Sequence, residues 1–446
     1  MNNAAKTLVS VKNINSAQSN PAVKNKHGFL DDNTVWNSQA GSLIFCCGIV
    51  FKVSSLPGLV AQTLGSSTLW LYILMSCIDL VCLTATYLFA KSGADGFLSA
   101  RKRLPYRMLN GLMSLYLLTK GFFYFVYTVI FLTIDLFVGV APYVIILVLA
   151  VPVVYTGVKG IRALARSSEL FAVVLFLIMI VNLAFLNADT DFGRNLPVFA
   201  VSPSDFFKEG LRYSLWLGDL FPLLFIKLRN KKLPFFGIGA GISYILVLVV
   251  AMLAVAMYGN ALPYVYNMLI RIAGFNQLSM EIGRLEWAAL FVVIIMAICG
   301  LSLLFWGSAE SCRRAVGTPV PARILFTLLI TVLPLALPTL QDVVTFSTTD
   351  FGYAMFAFAL FFAFAYGVAA IYAKRKMPKT PLSSDVPLSG TSSCGNTTAD
   401  AEQTDALQNE QSAAVSGNVS DDGISASKSS AGENAANITS GGENND

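Results

Sequence analysis

Residues 48–59 read Gly-Ile-Val-Phe-Lys-Val-Ser-Ser-Leu-Pro-Gly-Leu and lie inside an apolar run that is long enough to cross a bilayer. We expect Pro57 to interrupt the helix, because proline lacks an amide donor and its ring clashes with the carbonyl group one turn earlier. Residues 217–222, Leu-Gly-Asp-Leu-Phe-Pro, interrupt a second apolar run. A single interruption is more often a simple proline kink, whereas a matched pair is typical of transporters.

The composition excludes an ordinary soluble domain. Of the 446 residues, 55% are hydrophobic and only 13% are charged, and the mean hydropathy is +0.64. Soluble domains contain about 25% charged residues. The apolar core, from Gly41 to Pro378, holds 25 basic and 14 acidic residues. This excess indicates that Lys and Arg gather on one membrane face, and nucleic-acid binding is the weaker interpretation.

Apolar runs recur along the chain, and each reaches or approaches the roughly 20 helical residues that cross a bilayer. The ten runs cover residues 41–63, 67–90, 109–134, 138–155, 167–187, 211–227, 236–258, 285–308, 322–338 and 350–373. We therefore predict an all-α polytopic membrane protein with about ten transmembrane helices at residues 41–376. A polar cytoplasmic tail at 1–40 precedes this domain, and an acidic tail at 377–446, predicted to be disordered, follows it.

The loop charges give these spans an orientation. If the N-terminus is cytoplasmic, every inner loop is rich in Lys and Arg, as the positive-inside rule requires. The inner basic residues are Lys91, Arg101, Lys102, Arg103, Arg107, Lys159, Arg162, Arg166, Lys227, Arg229, Lys231, Lys232, Arg313, Arg314, Arg323, Lys374, Arg375 and Lys376. A missing or extra span would disrupt this alternation, so both termini are predicted to be cytoplasmic.

The two interrupted spans are the first and the sixth, which occupy the same place in two halves of five helices. Discontinuous helices at corresponding positions predict an inverted repeat with a binding site near the bilayer midplane. Amide groups freed at the start of the outer half of span 1 suit an anion, and freed carbonyl groups suit a cation.

Four charged side chains fall near the middle of spans 1, 2, 3 and 6, namely Lys52, Asp79, Lys120 and Asp219. An unpaired charge at this depth costs about 2.5–3.5 kcal/mol on insertion scales, so each needs a partner or a water-filled cavity. Depth alone allows Asp79–Lys120 and Lys52–Asp219 pairs, but the sequence does not fix the pairing. The group is either a substrate or proton-coupling site or a buried structural ion pair. The functional interpretation is stronger for Asp219, which adjoins the interruption.

Arg162, Arg166 and Glu169 recur at helical spacing and share one face at the inner end of span 5. They are either a positive-inside anchor or a gating ion pair. Arg284 and Glu286 at the outer start of span 8 are a second gating candidate.

Several short motifs resemble the signature of the spore germination permease family, the B subunit of germinant receptors. These are Gly160-Ile-x-x-x-Ala-Arg166-x-x-Glu169 before a long apolar helix, Arg284-Leu285-Glu286, Ser55-Leu56-Pro57, and Gly218-Asp219 with Asp in place of the usual Glu. The resemblance covers most of residues 41–376. The long N-terminal extension, the acidic C-terminal tail and Lys52 depart from the family pattern.

The resemblance implies the amino acid–polyamine–organocation superfamily and a LeuT-like fold with five plus five helices. It also implies a small amino-acid-like ligand, possible germinant-receptor A and C subunits as partners, and the spore inner membrane as the location. The expected substrate-binding residues are Ser54, Ser55, Leu56, Pro57, Gly58, Gly218 and Asp219. The amides near Leu56 would take the ligand carboxylate, and Asp219 with the carbonyls of span 6 would take its ammonium.

A germinant-receptor subunit and a proton-coupled amino-acid permease of the same superfamily predict the same site, and they differ in whether net uptake occurs. An intramembrane enzyme is disfavoured, because no span carries a histidine, an HExxH motif or a GxSxG motif. The single histidine and the absence of zinc-type cysteine spacing predict neither a metal site nor a cofactor.

Overall fold

The computed structural model describes residues 33–100, 104–137, 139–184, 190–196, 201–229, 235–265, 267–274, 286–337 and 339–376. The predicted tails lie outside these ranges, except for the last residues before span 1.

The described chain is helical almost throughout. Its α-helices are α1 (Asn37–Gly48), α2 (Val50–Val53), α3 (Leu56–Leu64), α4 (Thr68–Ser92), α5 (Ala94–Ala100), α6 (Leu104–Asp135), α7 (Pro142–Lys159), α8 (Ile161–Ala184), α9 (Pro203–Arg212), α10 (Phe235–Tyr258), α11 (Met268–Gly274), α12 (Glu286–Val316), α13 (Val320–Ala336), α14 (Gln341–Ser347) and α15 (Phe351–Lys376). Five 3₁₀ segments connect them, at Gly65–Ser67, Phe192–Asn195, Ser214–Trp216, Phe221–Phe225 and Gly259–Tyr264.

Seven helical stretches in the described ranges are long and apolar enough to cross a membrane, or eight if the bent pair α13–α14 is one span. The seven stretches include α4, α6, α7, α8, α10, α12 and α15. The first stretch, Leu56–Ser92, also contains α3 and overlaps predicted spans 1 and 2, and each of the other six overlaps one predicted span. The chain is therefore an all-α polytopic membrane protein. The three other predicted spans correspond to the interrupted segment α1–α3, the interrupted segment around residue 218, and α13 with 17 residues.

Two helices form the centre of the bundle. In the most apolar 18-residue stretch of α6 and of α12, 78% and 72% of the residues are buried. The corresponding share is 33% or less in α7, α8 and α15. Large apolar side chains such as Leu147, Val151 and Leu177 are exposed on the outer helices. Exposed apolar surface of this kind is expected where helices face lipid.

Basic residues meet at one end of the bundle, which we call the basic end. Arg107 donates to the carbonyl of Ala315 at 3.1 Å, and Arg314 forms an ion pair with Asp95 at 2.8 Å. Lys227 donates its amide to the carbonyl of Asn33 at 2.9 Å at the same end. This grouping of helix ends agrees with the alternation of charges in the sequence.

A short parallel ladder, which the sequence did not predict, joins the start of the transmembrane domain to the end of span 6. Strand β1 (Thr34–Val35) pairs with strand β2 (Lys227–Leu228), with Thr34 opposite Lys227. Helix α1 then starts at Asn37, before the predicted boundary at residue 41. The last residues of the predicted tail are therefore part of the folded domain.

Candidate functional site

The first interruption lies where the sequence predicts it. The chain turns at Ser54 and Ser55 between α2 and α3. Pro57 lies in the first turn of α3, where its missing donor removes no helical hydrogen bond. The carbonyl of Ser54, which the helix no longer uses, accepts the amide of Met268 at 3.1 Å. Pro57 thus begins a new helix and does not kink a continuous one.

The second interruption is a turn at residues 217–220 between the 3₁₀ segments Ser214–Trp216 and Phe221–Phe225. Gly218 has a φ of +72°, which side chains other than glycine rarely adopt. A Cβ atom on Gly218 would also lie 2.3 Å from the ring of Phe221. The glycine is therefore required by the backbone conformation and by the packing.

The four midspan charges converge on these interruptions. Lys52 forms an ion pair with Asp79, and Lys120 forms one with Asp219 at 2.7 Å. The Nζ atom of Lys52 also lies 3.9 Å from Asp219. The side chains thus form a chain of alternating sign. Of the two pairs that depth alone allowed, Lys52–Asp219 is present as the longest contact, and the closer pairs are Lys52–Asp79 and Lys120–Asp219.

The buried charges complete the hydrogen bonds of the second interruption. Gly218 donates its amide to Asp79 at 2.7 Å. The carbonyl of Leu217 accepts from the ammonium of Lys120 and from the hydroxyl of Tyr116, the latter at 2.8 Å. A carboxylate therefore meets a freed amide, and an ammonium meets a freed carbonyl, as an apolar environment requires. These contacts support a structural role for the charges, beside any role in binding.

Tyrosines surround the charges, and our sequence reasoning missed them. Tyr124 donates to Asp219, and Tyr244 donates to Asp79 at 2.8 Å. Lys120 lies over the rings of Tyr116 and Tyr124, at 5.4 and 5.6 Å from the ring centroids. The available signal was spacing, because residues 116, 120 and 124 recur every four residues on one face of α6.

Among the described residues, one carboxylate oxygen of the four midspan charges has no hydrogen-bond donor. The Oδ2 atom of Asp219 is buried and accepts no hydrogen bond from the described residues. The ammonium of Lys52 lies 3.9 Å from this oxygen. A buried acceptor without a donor is unfavourable, so this atom is a candidate acceptor for a proton or a ligand donor.

A small cavity of about 30 Å³ adjoins the charges. Its lining includes Lys52, Leu56, Tyr72, Asp79 and Trp216. A cavity of this size holds about one or two water molecules. It is too small for an amino acid, and the conformation described is therefore closed around the site.

The predicted substrate-binding residues do not all face this cavity. Leu56 lines it, whereas Ser54 and Ser55 line a separate void of about 10 Å³. Gly58 packs against the backbone of Val265, where an added Cβ would lie 2.3 Å from the carbonyl oxygen. Gly218 and Asp219 are not among the described residues that line the cavity; Gly218 donates its amide to Asp79, and Asp219 pairs with Lys120.

The predicted gating residues lie apart from the cavity. Arg166 is exposed and Glu169 is partly buried. The described parts of the chain offer neither side chain an ion-pair partner within 4 Å. Arg284 lies outside the described residues, and so does the side chain of Glu286. The gating role of these residues, including Arg162, stays a prediction.

A second polar network, at the basic end, was not predicted. Arg314 is nearly buried and pairs with Asp95 at 2.8 Å and with Glu310 at 3.0 Å. Its guanidinium lies 4.2 Å from the ring centroid of Phe225, the last residue of the 3₁₀ segment after the interruption. Asn33, just before β1, donates to Glu310 at 2.8 Å. The network therefore fixes the second half of span 6 at the basic end.

Comparison with known proteins gives the chain its family. No curated protein matches the chain. Residues 34–343 match the family described as spore germination protein, of the spore permease type. The match includes both interruptions, all four midspan charges and the cavity. It confirms the resemblance seen in the short motifs, and the chain belongs to the spore germination protein family.

Proposed function

We propose that the protein is the membrane-embedded subunit of a germinant receptor and that it binds a small amino-acid-like ligand near the bilayer midplane. The observation that carries this proposal is the convergence of Lys52, Asp79, Lys120 and Asp219 on two chain interruptions beside a closed cavity. A purely structural membrane anchor needs neither the interruptions nor four charges at this depth.

The proposed architecture has ten spans in a LeuT-like arrangement of two five-helix halves. The proposal counts one span at each of α4, α6, α7, α8, α10, α12, α13 and α15 and adds the interrupted segments 37–64 and 211–227, which makes ten. The interrupted segments come first and sixth in this order, as expected for corresponding members of an inverted repeat. Both termini then lie in the cytoplasm.

Charge complementarity suggests how a zwitterionic ligand sits. Its carboxylate would face the start of α3 at Leu56 and the ammonium of Lys52, because helix N-termini and cations both favour anions. Its ammonium would face Asp79, which lines the cavity. Asp79 is better placed than Asp219 for this contact, because Asp79 lines the cavity and Asp219 is not among the described residues that line it.

Ligand entry requires the cavity to open, since it now holds about 30 Å³. Trp216 and Leu217 of span 6 form part of the wall, and the same segment ends at Phe225 in the network at the basic end. Opening the wall would therefore move a segment that reaches the basic end. This coupling suits a receptor that signals to further subunits, of the A and C type, in the spore inner membrane.

The second candidate is a proton-coupled amino-acid permease of the same superfamily. The observation that favours it is the buried Oδ2 atom of Asp219, which has no hydrogen-bond donor among the described residues. Burial disfavours a charged carboxylate, so a buried oxygen without a donor is a suitable proton acceptor.

The test starts with the purified full chain and a panel of protein L-amino acids, each titrated by calorimetry. Asp79→Asn should weaken binding of the amino acid selected by the panel by about tenfold or more, because charge-assisted hydrogen bonds contribute about 1.5–3 kcal/mol. Asp205→Asn, at an exposed acid of α9, is the matched control and should bind normally. If Asp79→Asn folds poorly, Lys52→Met with Asp79→Asn removes both charges and should fold without binding.

Uptake then separates the two candidates. Proteoliposomes that bind the amino acid without accumulating it under a proton gradient support the receptor, and accumulation supports the permease. Unchanged affinity in the double variant, Lys52→Met with Asp79→Asn, would refute the proposed site.

A further inference from the structure

An apolar groove of about 400 Å³ opens on the side of the bundle, away from the buried charges. Helices α1, α8 and α10 form it, through residues that include Phe45, Ala172, Phe176 and Ile242. Several apolar residues of α8 near the groove are exposed, among them Val173 and Leu177. The groove therefore faces the hydrocarbon region of the membrane.

Polar groups stand at one end of the groove. Ser38, Ser42 and Glu169 line it, and each is partly exposed. None of the three side chains has a hydrogen-bond or ion-pair partner among the residues that the structure describes. Glu169 is thus a carboxylate in an apolar groove with no cation of the described chain to compensate it, which is unfavourable unless a ligand or water does so.

A basic residue lies close to this carboxylate on the same helix. Arg166 is exposed and precedes Glu169 by three residues, so the two share one face of α8. Arg162 continues that face by another turn towards the start of the helix. On this face of α8, the acidic Glu169 in the groove is therefore followed by the basic Arg166 and Arg162 in the direction of the basic end.

This polar end is the part of the groove nearer the basic end. Ser38 follows β1 closely, and Phe235 is the first residue of α10. The thiol of Cys46, in the last turn of α1, contacts the carbonyl of Ser168 at 3.5 Å, which places that turn against α8 beside Glu169. Polar groups at one end of an apolar groove match the shape of a phospholipid.

We propose that this groove binds an aminophospholipid of the phosphatidylethanolamine class. The lipid ammonium contacts Glu169, the phosphate contacts Arg166, and an acyl chain fills the groove between α1, α8 and α10. We choose a zwitterionic headgroup because its ammonium can pair with Glu169. An anionic headgroup without an ammonium would leave Glu169 unpaired and next to another negative charge. The site is separate from the cavity at Lys52 and Asp79 and goes beyond the proposed germinant receptor.

The test measures thermal unfolding of the delipidated full chain in detergent, with phosphatidylethanolamine or phosphatidylglycerol added. Phosphatidylethanolamine should raise the melting temperature by about 3 °C or more, and phosphatidylglycerol by less, because a ligand that binds only the folded state stabilises it. Glu169→Gln should remove the difference between the two lipids. Ala172→Phe should fill the groove and remove the response, whereas Val174→Phe, at an exposed position outside the groove, should keep it.

Equal stabilisation of the wild-type protein by the two lipids would overturn the proposal, and so would a full response in Ala172→Phe. If neither lipid changes the melting temperature, the proposal is also wrong and a helix of a partner protein becomes the better occupant. Should Glu169→Gln fail to fold, the pair Ala172→Phe and Val174→Phe decides the matter.

Discussion

Lys120 has no solvent-exposed surface, and its ammonium is compensated from several directions. Asp219 supplies the opposite charge at 2.7 Å, and the carbonyl of Leu217 accepts a hydrogen bond. The rings of Tyr116 and Tyr124 present their faces to the charge. Removal of a charge this deep costs the most when its partner is left behind, because the remaining charge is then buried and uncompensated.

We therefore expect Lys120→Met to lower the free energy of unfolding by about 3–5 kcal/mol, the range for breaking a buried ion pair on one side. Lys120→Met with Asp219→Asn removes both charges and should recover most of that loss. Folded yield after detergent extraction and melting temperature measure both effects. A double variant less stable than the more damaging single variant would show that the two side chains are not a coupled pair.

Gly218 gives a second test at the scale of one residue. Gly218→Ala forces a left-handed conformation on alanine, which costs about 1–2 kcal/mol, and its Cβ meets the ring of Phe221 at 2.3 Å. Gly93 has a similar φ of +68° with no atom near an added Cβ. Gly93→Ala is thus the matched control for backbone strain without the clash. Gly218→Ala should lower the melting temperature clearly more than Gly93→Ala, and equal losses would contradict the close packing.

The sequence identified all four midspan charges, because a charged residue inside an apolar run is conspicuous. It could not identify the pairs, since depth fixes position along the membrane normal but not around the bundle. Lys52 pairs with Asp79 across spans 1 and 2, and Lys120 pairs with Asp219 across spans 3 and 6. These neighbours follow from helix packing, which no single span encodes.

The interruption in span 1 was predictable from Pro57, and the structure starts α3 one residue before it. In span 6 the sequence predicted the break at Gly218 but not the 3₁₀ segments on both sides of it. The ladder between β1 and β2 has two residues in each strand and gains its stability from its surroundings, so no local pattern predicts it.

Close contact of helices α1 and α10 depends on two glycines. A Cβ on Gly239 would lie 2.3 Å from the carbonyl oxygen of Gly41, and small residues allow such close approach of membrane helices. Gly239→Ala should therefore lower the free energy of unfolding by about 1–3 kcal/mol, as overpacking does. Gly241→Ala, on the same helix with open space around it, should be neutral or stabilising because alanine favours helix by about 1 kcal/mol. Equal melting temperatures of the two variants would refute the contact.

At the scale of the molecule, the alternation of basic loops and the positions of the two interrupted segments support the same predicted order of spans. The central helices α6 and α12 contribute Lys120 and the network at Glu310, so the core holds both polar clusters. The sequence located the first cluster but not the second. Arg314 was assigned to an inner loop, whereas it belongs to α12, which continues to Val316 beyond the predicted end at residue 308.

Ten spans with cytoplasmic termini predict opposite sides for residues 200 and 230. Single cysteines at Ala200 and Asn230, in a background without other accessible cysteines, can be labelled with a membrane-impermeant maleimide in intact cells. We expect labelling from outside at position 200 and none at position 230. Labelling at 230 and not at 200 would reverse the topology.

The central claim is that a small amino-acid-like ligand occupies the cavity beside Lys52 and Asp79. Ser76 lines this cavity, and its neighbour Cys77 is exposed on the outer face of α4. The most direct measurement is the calorimetric affinity of Ser76→Phe and Cys77→Phe for the amino acid that the panel selects. The account predicts that Ser76→Phe folds but binds more than about tenfold more weakly, a loss above about 1.4 kcal/mol, while Cys77→Phe keeps its affinity. Wild-type affinity in a folded Ser76→Phe variant would contradict the claim.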